Sequence, residues 1–247
     1  MKFLKKSKKL IIGIIIGLIV GSVVSVYAAY SYFAEDVSYA SSNGTEISVQ
    51  EALDQLYAKE NSGSKLETID CTGYYADVND DGTVDGIVFI DLAYRATGVW
   101  NGNRNSSYSY LATSNLRSYK ISTKTSSYSG KFGTRSVVAP NGTSGNARFY
   151  VMALSDYGSY TWSDARSKTQ TVGSVTFRLP SKEEWSAFGG QLGITNSNYS
   201  STYGLSDWYW SSTEYDSSYA WSAIFTNGYM DINSKTDNNY VRLCATF

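Results

Sequence analysis

The sequence predicts an α+β domain in which short antiparallel strands outnumber helices. Beyond residue 66, short apolar segments alternate with turns rich in Ser, Tyr, Gly and Asn, a pattern typical of antiparallel strands. Helix signals in this region are confined to two places. We predict six strands, at residues 86–92, 147–153, 174–179, 208–212, 220–225 and 240–245.

One of the two helix signals has a clear N-terminus. The first helix is predicted to start near Thr161, and the second follows Pro180 with Ser181 as its N-cap. Glu183 and Glu184 then lie in the first turn, where the helix dipole favours acidic side chains. Each helix carries a tryptophan that we expect in the core.

The length and the N-terminus predict three parts of the chain. Of the 247 residues, we assign 1–28 to a signal peptide or membrane anchor, 29–65 to a spacer with a short helix, and 66–247 to one folded domain. Lysines precede an uncharged apolar run over residues 10–28 that is long enough to span a bilayer. Val26-Tyr27-Ala28 also fits cleavage, and a retained anchor is the preferred interpretation. The lysines keep that end cytoplasmic and place the rest at the cell surface or outside the cell.

The spacer contains a capping-box pattern. Ser48 and Glu51 predict a short helix that runs to about residue 60. Val49, Leu53 and Leu56 lie on one face of that helix. The face either packs onto the main domain or supports weak self-association through a stalk, because two turns are too short for a stable coiled coil.

Composition excludes several classes of function. The chain has no histidine and only two cysteines, Cys71 and Cys244, which argues against histidine catalysis and tetrahedral zinc sites. The cysteines either form a disulfide or remain buried free thiols. Of 21 basic and 22 acidic residues, five lysines and no acid lie in residues 1–28, which leaves 16 basic residues against 22 acidic ones. This negative balance argues against a nucleic-acid partner.

The segment 77–85 has the spacing of a calcium loop. Oxygen-bearing side chains occupy its first, third, fifth and ninth positions around Gly82, and calcium favours several hard oxygen ligands. Val88 stands where an EF-hand has its bidentate acid, so the loop is not an EF-hand. A hairpin held by the acidic side chains without an ion is the alternative. The predicted ligands are Asp77, Asn79, Asp81, Thr83 (through its carbonyl) and Asp85.

Near the C-terminus, alternation separates an anchoring face from a displayed face. Trp221, Ala223 and Phe225 share one face of a predicted strand, whereas the intervening residues face the other way. Asn227-Gly228 predicts a two-residue hairpin turn. Tyr, Ser, Asp and Asn dominate residues 215–239, a mixture also favoured in antibody loops. This region is either a binding surface or a polar loop region without special use.

Several motifs together resemble the C-type lectin fold of the formylglycine-generating-enzyme type, and more narrowly the variable target proteins of diversity-generating retroelements. The resemblance implies a C-type lectin-like ligand-binding domain. Enzymes of that fold use a cysteine pair in the active site, whereas the cysteines here lie outside the matching motifs, so we predict no enzyme activity. The motifs are RLPSKEEW from Arg178 to Trp185, YWSSTE from Tyr209 to Glu214, Ala220-Trp221, Phe225, Asn227-Gly228 and Tyr240-Val241-Arg242.

Retroelement diversification rewrites adenines, so an Asn codon changes to many residue types but not to Trp, Lys, Glu, Gln or Met. Across residues 215–239 only Trp221, Met230 and Lys235 fall outside the reachable set. In such proteins variable side chains cover a fixed scaffold, and we assign Trp208, Trp210, Trp221, Phe225 and Val241 to the buried core of that scaffold. The predicted ligand-binding residues are Tyr215, Asp216, Ser217, Ser218, Tyr219, Ser222, Ile224, Thr226, Tyr229, Asp231, Asn233, Ser234, Thr236, Asp237, Asn238 and Asn239.

Three functions are compatible with these patterns. The first is a bacterial surface receptor or adhesin with a diversified site for a protein or glycan ligand whose identity is unknown. The second is an undiversified lectin-like or structural protein of the cell envelope. The third is an enzyme of the formylglycine type.

Overall fold

The computed structural model describes residues 69–247 together with two short strands at 38–40 and 46–48. These belong to two compact units, residues 1–64 and 65–247. In the first unit, strand β1 (Ser38–Ala40) pairs antiparallel with β2 (Glu46–Ser48). The predicted membrane segment and stalk helix lie outside the described residues. Within the described part, no helix has the length and apolar character needed to cross a bilayer.

The second unit is a mostly-sheet α+β domain with two α-helices among its described residues, as the sequence predicts. The helices are α1 (Trp162–Arg166) and α2 (Lys182–Gln191), and two short 3-10 helices cover Trp100–Gly102 and Arg104–Ser106. The strands are β3 (Tyr75–Ala76), β4 (Gly86–Asp91), β5 (Ala96–Val99), β6 (Ser107–Tyr110), β7 (Tyr119–Ile121), β8 (Ser127–Gly130), β9 (Gly133–Pro140), β10 (Phe149–Ala153), β11 (Gly158–Tyr160), β12 (Thr169–Val172), β13 (Val175–Arg178), β14 (Trp208–Glu214), β15 (Tyr219–Ile224), β16 (Tyr229–Ser234), β17 (Asn239–Val241) and β18 (Cys244–Thr246).

Two sheets organise the domain. The larger has nine strands, with eight in the order β12-β13-β18-β10-β4-β3-β9-β7 and β8 paired to β9. The smaller has five strands in the order β11-β17-β14-β15-β16. Their pairings are antiparallel except for β3 with β9 and β14 with β17. Strands β5 and β6 form a separate antiparallel pair.

The nine-stranded sheet has apolar residues on both faces. On β18, Ala245 belongs to one hydrophobic cluster and Cys244 to the other, and Leu243, which directly precedes the strand, joins the cluster of Ala245. Strand alternation requires this when both faces are covered. The first cluster contains Trp162 of α1. The second contains Trp185 of α2. Both helix tryptophans are therefore in the core, as predicted.

The N-terminus of α2 confirms the predicted cap. The Ser181 hydroxyl accepts from the Glu184 amide at 3.2 Å, and the Glu184 carboxylate accepts from the Ser181 amide at 2.6 Å. This reciprocal pair is a capping box, which is stronger than the single cap expected. Helix α1 begins at the predicted place but has five residues and no hydrogen bond from the Thr161 side chain to its amides.

Five of the six predicted strands are confirmed within two residues at each end. The exception is the segment 240–245, where one strand was expected and two are found. Val241 ends β17 in the five-stranded sheet, and Cys244 starts β18 in the nine-stranded sheet. The chain leaves one sheet for the other at Arg242, whose guanidinium bonds to Asp156. A strand pattern in the sequence does not record such a change of partner.

Candidate functional site

The connection between β14 and β15 is the most exposed part of the predicted binding surface. All five residues from 215 to 219 are exposed. Tyr215 is 55% and Tyr219 43% exposed, large values for aromatic rings. The Asp216 carboxylate accepts from the amides of Ser218 and Tyr219, both at 2.8 Å. The loop is therefore held by its own side chain while its tyrosines face solvent.

A second connection, between β16 and β17, lies beside the first. The Lys235 amide donates to the Ser218 carbonyl at 2.9 Å. The Lys235 ammonium group bonds to Glu214 and to the Asp216 carbonyl, and it lies 4.5 Å from the centre of the Trp162 ring. Residues 236–238 are exposed. We call residues 215–219 and 234–238 together the tyrosine rim.

The sequence predicts that Trp221 is buried in the core, but its side chain is only partly buried. It packs against the second cluster. The Lys182 ammonium group lies 3.6 Å from the ring centre, and the Tyr215 ring meets it edge to face at 5.6 Å. Trp221 therefore borders the rim. Trp208 is also only partly buried, which departs from its assignment in the same way. The other three assigned residues are fully buried: Trp210, Phe225 and Val241.

Three predicted binding residues are buried, which contradicts their placement on a displayed face. Ser222 and Asn239 are 0% and 5% exposed, and the Asn239 amide donates to the Ser222 hydroxyl at 3.2 Å. Ile224 is 1% exposed and lies in register between Trp208 and Tyr229. Alternation predicted one open face for β15. In the structure this face is covered, and Asn239 is the residue that contacts Ser222 there.

The hairpin turn is present, but it differs from the predicted two-residue form. Because Ile224 pairs with Tyr229, the loop comprises four residues, 225–228. Gly228 has a positive φ of 72°, and its carbonyl accepts from the Asn101 side chain at 3.0 Å. Thr226 is exposed but bonds to Asp207 through both its amide and its hydroxyl, at 3.1 and 2.6 Å. This end of the hairpin is tied to the scaffold.

The edge strand β16 carries the remaining predicted residues, and all of them are partly buried. They are Tyr229, Asp231, Asn233 and Ser234. Asp231 and Asn233 each use a side-chain oxygen to accept from the next amide along, at 2.8 and 2.9 Å. The Met230 amide donates to the Ser106 hydroxyl at 2.8 Å. Side chains thus satisfy three alternate amides of an unpaired edge.

The acidic loop is held by hydrogen bonds to its own backbone. Asp77 is fully buried, and its carboxylate accepts from the amides of Asp81 and Gly82 at 3.0 and 2.9 Å. Asp81 accepts from the Thr83 amide at 2.7 Å, and Asp85 accepts from the Val78 amide at 2.9 Å. These contacts fix the turn and are compatible with either alternative, a calcium loop or an ion-free hairpin. Among the described residues, no three Cys, Asp or Glu side chains converge as a metal-binding group.

The carboxylates of this loop differ in environment. Burial raises the pKa of Asp85 to about 6, with a further contribution from the negative charges of Asp77 and Asp81. A hydrogen bond from the Asn79 side chain is the main cause that lowers the pKa of Asp81. The negative charge of Asp85 is therefore less well stabilised by its surroundings than that of Asp81. A bound cation would relieve this, so calcium binding stays a prediction.

The cysteines are both free and both buried. Cys71 belongs to the first hydrophobic cluster and Cys244 to the second. Of the two alternatives left open by the sequence, the structure has the pair of free thiols. Burial raises the pKa of Cys71 to about 12 and that of Cys244 well above its ordinary value.

The sequence analysis missed one side chain within the rim and one beside it. Lys182 and Lys235 each place an ammonium group over a tryptophan ring. Their partners lie 39 and 73 residues away along the chain, at Trp221 and Trp162 respectively. No local pattern signals such pairs.

The functional interpretation depends on the residues themselves. No protein-family model matches the chain, and no curated protein matches it.

Proposed function

We propose that this chain is a ligand-binding protein displayed at the cell surface, with a C-type lectin-like domain that recognises its ligand through the tyrosine rim. The observation that carries the proposal is the exposure of five consecutive residues, 215–219, including two tyrosines, at the end of a hydrogen-bonded sheet. Tyrosine provides a large rigid contact surface, and small polar neighbours provide adaptable hydrogen bonds.

The support beneath the rim is rigid, which favours recognition because little order is lost on binding. The register of β14 with β15 shifts between Trp210 and Glu214. Residues in this irregular stretch form hydrogen bonds with the N-terminal end of helix α2. The Ser212 amide donates to the Pro180 carbonyl at 2.7 Å, and the Lys182 amide donates to the Thr213 hydroxyl at 3.0 Å. The loop therefore starts from a strand that is fixed to a capped helix.

We further propose that a diversity-generating retroelement varies this surface. The three residues of 215–239 that adenine rewriting does not reach all make scaffold contacts. Met230 is buried, Trp221 packs on the second cluster, and the Lys235 ammonium group lies over the ring of Trp162 in the first cluster. This division favours a fixed framework that carries replaceable side chains.

Sequencing the gene from sibling lineages tests the diversification directly. Substitutions are expected at the exposed positions 215–219 and 236–238, and none are expected at Trp210 or Phe225. Identical sequences in all lineages, or changes spread evenly along the domain, would instead favour an undiversified envelope protein.

Binding is tested with an array of cell-surface glycans and proteins. The double variant Tyr215→Ala/Tyr219→Ala should weaken any specific binding by about 30-fold or more, because the loss of one contact tyrosine alone costs about 2 kcal/mol or more. Tyr128→Ala is the matched control, since this tyrosine is 38% exposed but lies on β8 in the other sheet. Equal losses in the double variant and the control would contradict a rim-centred site.

Display at the surface is a separate part of the proposal. Protease added to intact cells should remove the domain if the N-terminal segment holds it outside the membrane. Digestion only after lysis would overturn the proposed location.

A further inference from the structure

A cleft of about 270 Å³ lies away from the rim, beside the acidic loop. Its walls come from three pieces of backbone: the approach to β4, the end of β10, and the hairpin of β12 and β13. The strand pairing joins these pieces, since Ala153 pairs with Gly86, and β18 pairs with both β13 and β10. The cleft is therefore formed by the folded sheet and does not require a ligand to create it.

The cleft combines an apolar wall with one carboxylate. Phe177, Val172 and Leu154 supply apolar surface, and Phe177 is anchored in the first cluster. Asp85 is the only charged residue of the lining, and Gln170 adds a polar group. This volume is slightly below that of pockets for drug-sized ligands, so the cleft suits a small molecule or a single side chain.

Asp85 has no cation to neutralise it within residues 69–247. The ion pairs of that region involve other acids, among them Asp80, Asp91 and Asp156. The hydrogen bond that Asp85 accepts comes from the neutral Val78 amide. A partly buried carboxylate without a counter-ion is costly, and a ligand cation that reaches it gains a charge-assisted hydrogen bond.

We propose that this cleft binds a primary ammonium group carried on a short apolar chain, with Asp85 as the counter-ion. The chain lies along Phe177 and Val172 while the ammonium group donates to the carboxylate. Free alkylamines and lysine side chains share this chemistry. The site is independent of the tyrosine rim, so it stands whether or not the rim recognises a ligand.

The proposal is tested by NMR titration of the purified protein with n-butylammonium, with n-butanol as the uncharged analogue. A calcium chelator in the buffer keeps Asp85 free of any divalent ion. We expect saturable shifts of the Val172 and Phe177 signals with n-butylammonium, and binding of n-butanol weaker by about tenfold or more, the amount that loss of a charge-assisted hydrogen bond causes. The same titration with Nα-acetyl-lysine methylamide distinguishes a lysine side chain from a free amine, and binding of either supports the site.

Two variants locate the charge that matters. Asp85→Asn retains an oxygen for the Val78 amide and should lower n-butylammonium affinity by about tenfold or more, to the level of n-butanol. Asp81→Asn is the matched control, because Asp81 belongs to the same acidic loop but does not line the cleft. A thermal melt of each variant establishes that it is folded. The proposal is overturned if n-butylammonium causes no saturable shift, or if both variants weaken its binding equally.

Discussion

The ammonium group of Lys182 lies 3.6 Å from the centre of the Trp221 ring, where helix α2 meets strand β15 beside the tyrosine rim. A cation over an indole ring is attracted to its negative face. Burial also lowers the pKa of Lys182. The contact therefore links the capped end of α2 to the edge of the proposed binding surface.

Trp221 and Trp210 should respond differently to truncation. Trp210 is fully buried, so Trp210→Ala opens a cavity and should cost about 3 to 5 kcal/mol of folding free energy. Trp221 is partly exposed, and Trp221→Ala should cost about 1 to 2 kcal/mol. Urea denaturation of both variants measures the difference. Equal losses of folding free energy in the two variants would mean that Trp221 is as buried in the core as Trp210.

Glu184 should contribute much more to stability than its neighbour Glu183. The buried Glu184 carboxylate accepts from Arg178 at 2.7 and 2.6 Å and from the Ser181 amide. Glu184→Gln should cost about 2 to 3 kcal/mol, less than a fully buried pair because Arg178 is half exposed. Glu183→Gln, at an exposed position of the same turn, should stay within about 0.5 kcal/mol. If the two variants have the same denaturation midpoint, the carboxylate contacts contribute little.

The two thiols should resist modification in the folded protein. The thiolate is the reactive form, and burial raises the pKa of Cys71 to about 12 and that of Cys244 well above its ordinary value. Mass spectrometry after treatment with iodoacetamide at pH 8 should detect almost no labelling in buffer. Two labels should appear in denaturant without reductant. Absence of labelling in denaturant would mean that the cysteines are joined in a disulfide.

Calcium should raise the melting temperature if the acidic loop binds it. A ligand that binds only the folded state stabilises that state, so a melt in chelator should have the lower midpoint. Asp81→Ala should remove the difference. Identical wild-type midpoints with calcium and with chelator would favour the alternative, a loop held only by its own amide hydrogen bonds.

The features that the sequence predicts best are local ones. The cap of α2 depends on Ser181 and on acids within the next three residues, so a short segment contains all the necessary information. The hairpin of β15 and β16 follows from Asn227-Gly228 in the same way, although the loop is two residues longer than predicted. Neither feature needs a distant partner to form.

The errors arise where distant segments meet. Ser222 and Ile224 lie on the face that alternation marks as open. Asn239 bonds to Ser222 from 17 residues away, and Ile224 is fully buried although it lies on the same face. Between residues 94 and 140 the sequence analysis predicted no strands, yet β5 to β9 lie there. Several residues of these strands are exposed Ser and Tyr, so the sequence lacks the alternation of apolar and polar residues that would indicate a strand.

The protected edge of β16 limits how freely its residues can vary. Asp231 and Asn233 each cover the neighbouring amide of an outer strand. Replacement by an apolar residue would leave that amide free to pair with a strand of another molecule, and proteins crowded on one cell would then associate edge to edge. If the proposed diversification reaches these two positions, some variants of the proposed surface protein would therefore aggregate and be lost from the surface before they meet a ligand. Selection at 231 and 233 would act on solubility as well as on recognition.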